Sequence, residues 1–134
     1  MNSHFEMNIP RRSLTRSRRW PQCQQIDGVV EFDGQIYLVE MKWLKAPVGV
    51  NELAPHMVRL FGRADARGIF ISTSEYTSPA ISECTGHLSN RTMIPSSLRE
   101  FVMLLVDERD LLTLLRQKVK AALIDKKPFH EVLN

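Results

Sequence analysis

The sequence predicts a mixed α/β domain, and three observations carry that expectation. The stretch "QIDGVVEFDGQIYLVEMKW", residues 25–43, reads as a β-hairpin turning at Asp33-Gly34. A helical period over residues 51–63 leads into "RGIFIST", residues 67–73, a short apolar run suited to a buried strand. Near the end, Leu111, Leu112, Leu115, Val119, Ala122 and Leu123 make one apolar helical stripe.

The elements follow in order. Residues 1–19 have no clear period and read as a poorly ordered arm; the domain runs from 20 to 134. The hairpin strands span 26–32 and 35–43. Around a two-residue turn, Phe32 faces Gln35, Val30 faces Tyr37, Val29 faces Leu38, and Asp27 faces Glu40. "APVG" at 46–49 breaks the strand pattern. Asn51 is placed to cap the next helix, with Leu53, Met57, Leu60 and Ala64 on its buried side and Pro55 near its first turn. After the buried strand, "TSPAISECTGHL" at 77–88 reads as a short helix with Pro79 near its start. "RTMIP", 91–95, reads as a strand. Ser97 and Glu100 form a capping box that opens a helix through Val106. Asp107 or Asp110 caps the last helix, to about residue 125.

Composition narrows the function. The chain is 134 residues, 43% hydrophobic and 25% charged, as expected of a soluble domain with its own core. No apolar run is long enough for a membrane span, and no secretory signal is visible. Cys23 and Cys84 lack a CxxC spacing and read as reduced thiols of a cytoplasmic chain. Cys84 and His87 have no further ligand nearby in sequence, which argues against zinc. GxSxG, P-loop and GxGxxG motifs are all absent. Residues 1–26 hold five arginines against one acid, net +4, while the remainder is net −1. Arg11, Arg12, Arg16, Arg18 and Arg19 are therefore candidate contacts to nucleic-acid phosphates, where neutralisation releases counterions. Arg59 and Arg63, on one helix face, are candidates for the same role, and Arg67 follows in the next loop. His56, three residues before Arg59, could contact DNA or the site, though a partly exposed helix histidine is the simpler reading. Ser72, Thr73, Ser74 and Tyr76 could bind phosphate or serve as caps.

The hairpin carries the chemistry. Like charges opposite each other in a sheet are destabilising, yet Asp27 faces Glu40 at about 5 Å between Cβ atoms. Such a pair suits a hard divalent cation: Mg²⁺, with Mn²⁺ as a substitute. Asp27, Glu40 and the backbone carbonyl of Met41 would supply part of its shell. Lys42 projects from the same strand face as Glu40 and could orient or deprotonate a water, or stabilise a phosphoryl group. Gln24 and Gln25, just before the hairpin, are accessory candidates to position phosphate or water. The competing reading is a solvated hairpin face with incidental charges. Against it, "YLVE" is apolar up to Glu40 and Trp43 follows, so the strand reads as buried and central.

Asp27, twelve residues, then Glu40-Met41-Lys42, followed by a helix and a buried strand, resembles the PD-(D/E)XK nuclease superfamily. Within it, "QIDGVV…IYLVEMKW", "VGVNEL", "FGRADARGIFISTSEYTSPAI" and the leucine-rich end resemble Mrr-type restriction endonuclease-like domains, over roughly residues 24–130. The resemblance implies an αβββαβ core, a mixed central sheet flanked by helices, with the first helix missing or short here. It implies Mg²⁺-dependent hydrolysis of DNA phosphodiesters, with Asp27 and Glu40 as metal-binding acids and Lys42 as the catalytic lysine. DNA is the implied partner. A homodimer is a further candidate, if the short N-terminus leaves a sheet face bare. The alternative is a nuclease-fold module that binds DNA or protein without turnover.

Overall fold

The Asp33-Gly34 turn closes the hairpin as expected. Both residues are left-handed, at φ 50° and 75°, the conformation a two-residue type I′ turn demands. Strands β2 (Gly28–Phe32) and β3 (Gln35–Lys42) pair antiparallel in the expected register, from Phe32 opposite Gln35 to Gly28 opposite Val39. Arg116 holds the turn from outside with two 2.7 Å hydrogen bonds to the Asp33 carboxylate, which lower that carboxyl's pKa. These details come from a computed structural model that describes residues 6–8, 27–107 and 110–132. The expectations for Arg11, Arg12, Arg16, Arg18, Arg19, Cys23, Gln24, Gln25 and the first helix lie outside those residues.

Among the described residues a mixed five-stranded sheet forms in the order β1-β2-β3-β4-β5. Strand β1 (Glu6–Asn8) pairs antiparallel with β2; no sequence period marked this short strand, which precedes the arginine-rich stretch. Strands β4 (Ala66–Ser72) and β5 (Met93–Ser97) extend the sheet in parallel from β3. Pro95 interrupts no inner ladder, because β5 is an edge strand.

Helices cover both faces. Helix α1 (Val50–Phe61) and α2 (Ser78–His87) connect the parallel strands and pack Leu53, Met57, Leu60, Ala80 and Cys84 on Leu38, Phe70 and Met93. Helix α3 (Leu98–Val106) and α4 (Leu111–Leu123) cover the other face, with Leu115 and Ala122 on Val30, Phe32, Tyr37, Ile69 and Ile94. The strand period of two sends neighbouring residues such as Tyr37 and Leu38 into opposite cores. The bare face that would have favoured a homodimer is therefore not found over β3–β5.

Several local expectations need correction. Gly49, rather than Asn51, caps α1; its N–H donates to the Glu52 carboxylate at 2.8 Å. Pro55 lies inside α1 rather than in its first turn, so the helix cannot supply an amide from that position to the Asn51 carbonyl. Asp110, rather than Asp107, caps α4. The Ser97–Glu100 capping box forms as expected, but Glu100 is fully buried and does more. Its Oε1 accepts from Lys118 Nζ at 2.6 Å and from the Val132 amide at 2.7 Å. Lys118 Nζ also donates to the His130 carbonyl at 2.8 Å, so this buried pair fastens the C-terminal segment to α3 and α4.

Candidate active site

Residues Leu38, Glu40 and Lys42 alternate onto the α1 face of β3. Leu38 enters the core, whereas Glu40 is buried at 6% exposure near the carboxyl end of the strand. Ligand sites in α/β sheets favour that end of parallel strands. Helix α1 crosses this face and turns His56 and Arg59 inward. Glu40 is thus met from two elements. Its Oε1 lies 3.3 Å from Lys42 Nζ; its Oε2 lies 3.1 Å from Arg59 Nη1 and 3.9 Å from His56 Nδ1. Burial raises the Glu40 pKa, and the charge of Asp27 raises it further. The hydrogen bond from Lys42 and the positive charges of Arg59 and Lys42 oppose that rise without cancelling it.

Asp27 stands just before β2, half-buried. The β2–β3 ladder ends at Gly28 opposite Val39, and the Asp27 carboxylate takes over beyond it, accepting the Met41 amide proton at 2.9 Å. Asp27, Glu40 and Lys42 are therefore gathered at one end of the hairpin. Lys42 is 47% exposed at its side chain and opens the group to solvent. Trp43, expected to be buried, is 73% exposed, because the strand pairing ends at Lys42 opposite Ser72.

His56 differs most from its expectation. It is 1% exposed, edge-on to Phe70, and its Nε2 lies 3.1 Å from the Leu38 carbonyl. A carbonyl only accepts, so Nε2 carries the proton and Nδ1 bears a lone pair. Nδ1 is buried without a hydrogen-bond partner among the described residues. Burial pushes the imidazole down to about 4, with the charges of Arg59 and Arg63 acting the same way. The signal for this burial was available: His56 sits three residues after Leu53 and four before Leu60, inside the apolar stripe. Arg59 is also turned inward, onto Glu40, rather than lying on an outer helix face. Arg63 is half-buried, and its Nη1 donates to the Arg59 carbonyl at 2.9 Å.

The hydroxyls after β4 are committed to structure. Thr73 Oγ1 exchanges hydrogen bonds with the Leu44 backbone, and Ser72 bonds Ser74. The Tyr76 hydroxyl lies 2.7 Å from the Phe70 and Ser96 carbonyls and accepts from the Ser96 amide, tying β4 to β5. Thr77 caps α2.

A family model described as restriction endonuclease, of the Mrr catalytic-domain type, matches residues 12–115. The chain belongs to this family. Mrr-type restriction endonucleases fall within the PD-(D/E)XK nuclease superfamily, whose domains act on DNA and generally use divalent metals. The crystal structure of a protein of unknown function, AF1548, aligns at 19% identity with a TM-score of 0.49, covering 68% of this chain. This chain spans about half of that protein, 49%. No curated protein matches the chain. No helix of the described residues is long and apolar enough to cross a membrane.

The donor set fits the divalent ion this family implies. Among the described residues, no three His, Cys, Asp or Glu side chains already form a metal-binding cluster. Two carboxylates with a mutual electrostatic cost suffice for an ion that keeps waters and takes substrate phosphates. The orphaned Nδ1 of His56 adds a buried acceptor beside Glu40.

Proposed function

We propose that the chain is a metal-dependent deoxyribonuclease that hydrolyses DNA phosphodiester bonds with water. The observation that carries this reading is the convergence of Asp27, buried Glu40 and solvent-facing Lys42 at the carboxyl end of β3. Asp27 and Glu40 would hold Mg²⁺, or Mn²⁺ in its place, with the Met41 carbonyl. A residue's N–H and C=O point to the same edge of a strand, and the Met41 N–H points to Asp27. A bound ion would supply polarisation of a phosphate oxygen and acidification of the attacking water.

The chain's own residues do the rest. Arg59 and Lys42 favour the ionised form of Glu40 against the effect of burial. Lys42 reaches outward from Glu40, where its ammonium can donate to the water or to a phosphoryl oxygen carrying negative charge in the transition state. Arg11, Arg12, Arg16, Arg18 and Arg19 would bind the DNA backbone, with Gln24 or Gln25 beside the scissile phosphate. Exposed Trp43 is placed next to Lys42 to stack on a base. The reaction would take place in the cytoplasm, on DNA.

One observation favours the second reading, a DNA-binding or interaction module without turnover. Glu40 is ion-paired by both Lys42 and Arg59, so side chains of the chain itself neutralise its carboxylate. Incubation with supercoiled plasmid separates the two. The nuclease reading predicts nicking that needs Mg²⁺ or Mn²⁺, stops with chelator and is lost in Asp27→Asn. DNA binding with no nicking under any divalent ion would establish the module instead.

A further inference from the structure

We propose that His56 Nδ1 is a metal ligand beside Glu40, and that this nitrogen makes the site favour first-row transition ions over Mg²⁺. The inference rests on the nuclease reading and narrows it to an ion class.

The geometry is specific. Nε2–H is committed to the Leu38 carbonyl at 3.1 Å, which fixes the tautomer and leaves the lone pair on Nδ1, 3.9 Å from Glu40 Oε2. Metal-bound histidines are held in this way, the far N–H given to a carbonyl or carboxylate so that the other nitrogen is presented to the ion. Nδ1 has no hydrogen-bond partner among the described residues and the ring is 1% exposed, so bulk water does not satisfy it. It lies 3.9 Å from Glu40 Oε2, and two acceptors this close repel. A cation between them removes the conflict.

Neighbouring ligands of an octahedral ion lie about 3 Å apart, so about 1 Å of closure, within reach of a glutamate side chain, brings both atoms into one shell. The negative charge of Asp27 acts on both groups. Arg59 Nη1, 3.1 Å from the same Oε2, is the group an ion must compete with. Imidazole is a poor ligand for Mg²⁺, which selects oxygen, and a good one for Co²⁺, Ni²⁺ or Zn²⁺.

The test uses the whole chain and two probes. Calorimetric titration with Co²⁺ and Mg²⁺ compares wild type, His56→Phe, His56→Gln and Asp27→Asn. We expect His56→Phe to weaken Co²⁺ by about tenfold or more and Mg²⁺ by much less. Asp27→Asn should weaken both ions alike. Pulsed electron paramagnetic resonance of the Mn²⁺-loaded wild type should detect a directly bound imidazole nitrogen. This readout needs no variant, and His56→Gln serves if His56→Phe fails to fold. Bound Mn²⁺ without nitrogen coupling, or equal loss of Co²⁺ and Mg²⁺, overturns the His56 assignment and leaves the nuclease reading standing. Failure of every ion to bind, with no DNA cleavage, overturns both.

Discussion

Arg59 Nη1 lies 3.1 Å from Glu40 Oε2, and both side chains are buried. This pair joins α1 to β3 at the candidate site and changes what substitution of Glu40 does. Removing one partner of a buried ion pair costs up to about 3–5 kcal/mol, because the charge that remains loses its counter-ion in a poorly solvated site. Glu40→Ala should therefore lower stability by about that amount. Glu40→Gln keeps the volume and an acceptor for Arg59, and should cost about 1–3 kcal/mol. Urea unfolding of the two variants checks the order. Equal stabilities would mean that the charge of Glu40 contributes nothing to holding α1 on β3.

Lys118 and Glu100 make a second buried pair, with the C-terminal segment as its third member. Burial lowers the Lys118 pKa, and the charge of Glu100 resists this. Lys118→Met should destabilise the domain by about 3 kcal/mol, because Glu100 keeps its backbone donors and loses its cation. It should also expose residues near His130 to limited proteolysis. A protease-resistant C-terminus would show that the fastening lies elsewhere.

Gly68 in β4 leaves no room for a methyl group. A Cβ there would stand 2.9 Å from both Met93 Cε and Sδ, and 3.2 Å from Leu60 Cδ2. Gly68→Ala should cost about 1–3 kcal/mol through overpacking. Shortening the neighbour with Met93→Val should recover part of that loss in the double variant, measured as the urea midpoint.

Much of this was legible in the sequence. The Asp-Gly turn set the hairpin register, and with it the placement of Asp27 near Glu40. The Ser97–Glu100 box and Pro79 marked helix starts correctly. Local chemistry decides such features, so local sequence reports them. Burial of polar side chains is decided by what packs across from them. His56 and Lys118 fall within apolar stripes, but only Leu38 and Glu40 opposite the first, and Glu100 opposite the second, make their burial tolerable. Trp43 was misjudged for a related reason: its strand ends one residue earlier, and its side chain is left exposed.

The His56 environment sets a pH dependence. Its folded-state pKa, about 4, lies below the ordinary 6.5. As pH falls below about 6.5 the unfolded chain takes up this proton first. Stability present above that pH is lost progressively towards pH 4, by at most about 3 kcal/mol. Glu40, with its raised pKa, works in the opposite direction and offsets part of the loss. Asp27, Arg59 and Arg63 are the other charges acting on the ring. Urea unfolding at pH 7 and pH 4.5 should show a larger drop for wild type than for His56→Phe. Parallel drops would contradict a buried neutral imidazole.

Lys42 offers the cleanest view of the site's chemistry, because its half-exposed side chain can be changed without opening the core. The measurement is single-turnover cleavage of a labelled DNA duplex at saturating Mg²⁺ or Mn²⁺, wild type beside Lys42→Gln, with DNA affinity measured separately in Ca²⁺. We expect the wild type to cleave, and Lys42→Gln to be slower by about a hundredfold or more, with DNA affinity changed by less than about tenfold. Cleavage at the wild-type rate by Lys42→Gln, or no cleavage by the wild type, would contradict a nuclease built on Asp27, Glu40 and Lys42.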